Sequence, residues 1–82
     1  MFVFTGHALR QMQKRQITER MLRRVFDDCD TRVEVAGDCL NLYGVVSNDA
    51  HDRIPLRVTI DPFVLPCPLV ITVAIAHDRA AA

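Results

Sequence analysis

Hydrophobic positions recur along the chain at two periods, helical up to Cys29 and alternating from Thr31 onward. Phe2-Val3-Phe4 reads as an extended, apolar lead-in. Thr5 stands where an N-cap belongs, and a helix is predicted over 5–15. On a helical wheel Ala8, Leu9 and Met12 form its core side, whereas His7, Arg10, Gln11 and Lys14 form its polar side. Thr18 caps a second helix predicted over 18–28, with Glu19 in the first turn, where the helix dipole favours an acid. Its apolar stripe is Met21, Leu22, Val25 and Cys29, with Phe26 at the margin and Arg20, Arg23 and Arg24 outward as a solvated face.

Strands follow. Residues 31–35 alternate cleanly, and Gly37-Asp38 signals a tight turn into a second strand over 39–47. A polar loop over 48–53 leads to 54–60, where every even position is apolar. Pro55 places that strand at a sheet edge or leaves its first residues unpaired. The proline-rich stretch 61–68 is a loop. Residues 69–76 are apolar on both faces, the pattern of a central, covered strand. The order α-α-β-β-β-β predicts an α+β domain with two N-terminal helices packed on a four-stranded antiparallel sheet.

Composition adds three constraints. With 82 residues there is room for one domain, spanning 1–82, and one core. No basic region followed by a long apolar run opens the chain, and the stretch 65–76 is too short to cross a bilayer. Cys29, Cys39 and Cys67 are an odd, widely spaced set with no paired metal-ligand spacing, so reduced and mostly buried thiols in a cytoplasmic protein are expected, with no metal and no cofactor. The zero net charge conceals a segregation: residues 1–26 hold six basic side chains against Glu19 alone, and the remainder holds four against nine acids. A basic helical half suits an anionic partner, or pairs with the protein's own acids.

The segment Phe4-Thr-Gly-His-Ala-Leu-Arg-Gln-Met-Gln-Lys-Arg-Gln-Ile-Thr18 resembles the opening signature of a bacterial domain-of-unknown-function family, DUF4258. That pattern runs aromatic or aliphatic residue, Thr or Ser, spacer, His-Ala, Arg-Met and Arg-Gly-Ile before a second helix. Here His7-Ala8, Arg10, Met12, Arg15 and Ile17 supply it. Gln11 intervenes between Arg10 and Met12, and Gln16 replaces the usual glycine, which implies a different inter-helix turn. Thr72-Val73 is similar to the family's strand ending, whereas the 61–68 loop is longer than its usual turn. The resemblance implies a RelE-like fold, RNA as substrate, and an acidic antitoxin-like protein as partner in a toxin–antitoxin system.

Metal-independent RNA cleavage needs proton-transfer groups and cations for the phosphorane charge. His7 and Arg10, at i and i+3, share a helix face with Lys14, and Arg15 lies at its margin. His7, Arg10 and His77 are the candidate catalytic residues. Lys14 and Arg15 are candidate phosphate ligands, and the RelE-like resemblance adds Tyr43 and Arg57. Two other readings stand beside this one. His7 fixes its helix to a neighbouring strand, or the whole protein is a non-catalytic module that docks protein or nucleic acid through its basic helices.

Overall fold

The computed structural model describes residues 2–48, 50–64 and 67–76. Its elements are β1 (Val3–Phe4), α1 (Gly6–Arg15), α2 (Glu19–Asp27), β2 (Thr31–Val35), β3 (Cys39–Ser47), β4 (Arg53–Asp61) and β5 (Leu69–Ile75). The α+β arrangement agrees with the sequence pattern, but the sheet does not have four antiparallel strands. It has five, in the order β1-β5-β4-β3-β2, and it is mixed because β1 runs parallel to β5.

Thr5 explains how so short a strand is held. Its N–H donates to the Val70 carbonyl at 3.0 Å and its hydroxyl to the Ile71 carbonyl at 2.9 Å. The same hydroxyl accepts from the Ala8 N–H at 3.1 Å as the N-cap of α1. One side chain therefore starts a helix and ties it to a strand edge. Thr18 caps α2 in the same manner, accepting from the Met21 N–H at 3.2 Å. Between the helices Gln16 takes a left-handed conformation (φ 56°), one that glycine adopts without strain.

Both helices lie on one face of the sheet, α1 against β5 and α2 against β3. Ala8, Met12, Met21, Leu22 and Val25 meet Leu42, Leu56, Val58 and Val73 there in the core. Gly44 lets α2 come close: a Cβ at that position would lie 3.5 Å from the Val25 methyl groups. The alternation of β3 and β4 sends Tyr43 and Arg57 to the face opposite the helices, where they sit half-buried and directly across from each other.

Four further expectations need correction. Leu9, expected in the core, is 47 % exposed. Gln11, expected on the solvated side, is half-buried, and its Oε1 accepts the Val73 N–H at 3.0 Å. It takes over where β1 ends and no strand among the described residues continues beside β5. β5 is thus next to the edge of the sheet and not its centre, with Val70 and Val73 buried and its other side chains half-buried. Of the two readings of Pro55, the edge position fails, since β4 pairs with both β3 and β5, whereas the first residues of the strand do lie outside the β4–β5 ladder, which begins at Leu56. Pro55 is tolerated because its carbonyl accepts from the Ala76 N–H, just past the end of the β4–β5 ladder; its missing N–H faces that same side. The three cysteines are free, and each is half-buried.

Candidate functional site

The ionisable side chains of α1 occupy the surface that the helical wheel assigns to them. His7, Arg10 and Lys14 are exposed, and Arg15 joins them in the last turn. Arg10 runs back along the helix: its Nη1 would lie 3.5 Å from a Cβ placed on Gly6, one residue before His7. The Thr5 cap sets this geometry by fixing where the first turn begins.

Arg15 opens onto a second feature. A cavity of about 520 Å³ lies between the α1–α2 turn and the β3–β4 loop, with Arg15, Gln16, Thr18 and Asn48 in its wall. A neighbouring cavity of about 270 Å³ shares Gln16, Thr18 and Asn48 and adds Arg20 and His51. A third, of about 360 Å³, shares Arg20, Met21 and Ser47 and ends at Arg24. The three adjoin through these shared wall residues, a groove of neighbouring hollows along the helical layer. Its cations are Arg15, Arg20 and Arg24, with Arg20 and Arg24 one helical turn apart at a Cβ spacing of about 5–6 Å. His51 stands at the rim on a loop residue with φ 65°.

The backbone of that loop is organised by Asn48, whose Oδ1 accepts from the Ala50 N–H at 2.9 Å and the Asp52 N–H at 3.0 Å. Groove and α1 face thus use side chains of the same helical layer, although His7, Arg10 and Lys14 line none of the three cavities. Arg23 points elsewhere: its guanidinium lies 6.0 Å from the centroid of Phe2, which stacks on Phe26 at 4.7 Å. It braces the N-terminal segment against α2.

The residues expected to act together therefore separate into two sets. His7, Arg10, Lys14 and Arg15 share the helical layer, and Tyr43 and Arg57 share the sheet face opposite the helices. Arg57 Nε is buried there without a hydrogen-bond partner among the described residues. His77 lies outside the described residues.

Arg20, Arg24 and His51 are the groove residues that sequence reasoning passed over, as a solvated face and a solvated loop. The missing signal is the packing of α2 on β3, which carries the β3–β4 loop to the start of α2. Among the described residues no three His, Cys, Asp or Glu side chains gather at metal-binding spacing, and no helix is long and apolar enough to cross a membrane. Comparison with protein-family models, curated proteins and solved structures finds no match to the chain.

Proposed function

We propose that the protein binds RNA across its basic helical layer and cleaves it without a metal, as a RelE-like, toxin-type ribonuclease. The observation that carries this reading is the groove: Arg15, Arg20 and Arg24 set among Thr18, Ser47 and Asn48, on the same layer as His7, Arg10 and Lys14. Guanidinium groups with hydroxyl and amide neighbours suit phosphate oxygens. Among the described residues the groove has no aromatic wall for stacking bases, so it recognises the strand by its backbone. The resemblance of residues 4–18 to DUF4258 points to the same substrate.

In this reading His7 takes the 2′-hydroxyl proton, the 2′-oxygen attacks the adjacent phosphorus, and the bond to the 5′-oxygen breaks. Arg10 and Lys14 hold the charge that develops on the phosphorane. His77 is the proposed acid for the leaving oxygen. The products are a 2′,3′-cyclic phosphate and a 5′-hydroxyl. An acidic antitoxin-like protein would cover the same cations and silence the activity.

The non-catalytic reading has one observation in its favour: His7 is exposed on an open helix face, with no cavity of the groove beside it. End-labelled single-stranded RNA separates the two. Cleavage predicts cyclic-phosphate ends and a loss of about 10²–10⁴-fold in His7→Ala with binding retained. Intact RNA at saturating wild-type protein leaves the binding module standing alone. Arg20→Ala and Arg24→Ala are expected to weaken binding under either reading. Each lost phosphate contact lowers the salt slope of binding by about 0.7. Unchanged affinity and slope in both variants would remove the groove from the RNA surface.

A further inference from the structure

We propose that the protein forms a two-fold homodimer in which β2 pairs antiparallel with β2 of a second copy, centred on Val33. The two edges of the sheet differ in how they are finished. At the β1–β5 edge, Thr5 and Gln11 of the α1 region take up backbone groups of Ile71 and Val73. Among the described residues β2, the other edge, has β3 as its one strand neighbour, and neither helix packs on it. Its three central residues, Arg32, Val33 and Glu34, are all exposed. An outer strand exposed along its centre is a template for another strand.

The sequence of β2, Thr-Arg-Val-Glu-Val, selects its partner. Antiparallel self-pairing about Val33 sets Arg32 opposite Glu34 of the second copy and Glu34 opposite its Arg32. Val33 then meets Val33, and Thr31 meets Val35, on the face opposite the helices. Opposite charges directly across an antiparallel ladder stabilise it, and like charges oppose it. The neighbouring registers fail on that ground. Centring on Arg32 sets arginine against arginine and Asp30 against Glu34; centring on Glu34 sets glutamate against glutamate. The pattern is self-complementary in one register and repulsive in its neighbours, which is what an isologous interface requires.

Arg32 is available for the pairing. Its Nε donates to Cys29 Sγ at 3.4 Å, which leaves the two terminal nitrogens of the guanidinium for a carboxylate. The two-fold axis stands normal to the sheet, so both helical layers, with their basic grooves, face the same side of a ten-stranded sheet. The inference does not rest on the proposed function, because it uses only the β2 edge.

The test is sedimentation equilibrium of the full chain under reducing conditions, from about 10 to about 500 µM. Wild type is expected to rise from 9.3 kDa to twice that mass across the range. Arg32→Glu and Glu34→Arg, each checked for folding by circular dichroism, are expected to stay monomeric, with association weakened at least about tenfold. The double variant R32E/E34R restores the dimer, and so does an equimolar mixture of the two single variants, because each swap recreates opposite charges across the junction. A wild type that stays monomeric throughout overturns the proposal. So does a dimer that the single substitutions leave intact, since it would use another surface.

Discussion

The two edges of the sheet solve the same problem in opposite ways. At the β1–β5 edge, a two-residue strand, a threonine hydroxyl and a glutamine carbonyl satisfy the backbone that β4 does not reach. At the β2 edge no strand among the described residues lies outside β2, and a charge pattern decides what approaches it. Closing an edge from within takes side chains of the helical layer, and those residues are then unavailable to a partner. An open edge leaves them free, and specificity passes to the side chains of the strand itself.

Breaking the closed edge should cost most. Thr5→Ala removes the cap of α1 and the hydroxyl that the Ile71 carbonyl accepts from; a loss of about 2–3 kcal/mol is expected in urea denaturation. Gln11→Leu keeps the size but strands the Val73 N–H, with an expected loss of about 1–2 kcal/mol and faster hydrogen exchange at that amide. The β2–β3 turn comes next. Gly37 has φ 80°, so Gly37→Ala should cost about 1 kcal/mol although a Cβ there meets no neighbour within 4 Å. At the open edge the effect on monomer stability should nearly vanish: Glu34→Gln is expected within about 0.5 kcal/mol of wild type in thermal melts at low concentration. A cost at Glu34 as large as that at Gln11 would erase the distinction between the edges.

The physical reach of each signal explains what could be read from the chain. Thr5 and Thr18 announce the helix starts because capping is a local hydrogen bond, three residues long. Met21, Leu22 and Val25 are core residues as their spacing predicts, since a helix face needs no knowledge of its neighbour. β1 was not legible as a strand: two residues carry no period, and their partner lies at the other end of the chain. Gln11 shares a wheel position with Arg10 and Lys14, and only the bare Val73 N–H turns it inward. The groove was illegible for the same reason, because Thr18 and Asn48 meet through packing alone. Gln16 marks the boundary between the two cases. Its left-handed backbone agrees with a turn position, but the side chain gives no hint of it.

The bond between Thr5 and Ile71 spans 66 positions in sequence, whereas β2, β3 and β4 join through successive hairpins. Folding has a corresponding order. Short loops close first, and contacts between distant segments must wait until the intervening chain is placed. β1 and the start of α1 should therefore dock late, on a sheet whose hairpins already exist. Until they do, β5 exposes an apolar, unpaired edge, and the half-folded chain has two open edges instead of one. That interval is when aggregation competes with folding. An obstacle at the N-terminus that delays the arrival of Thr5 should lower the refolding yield more than the equilibrium stability.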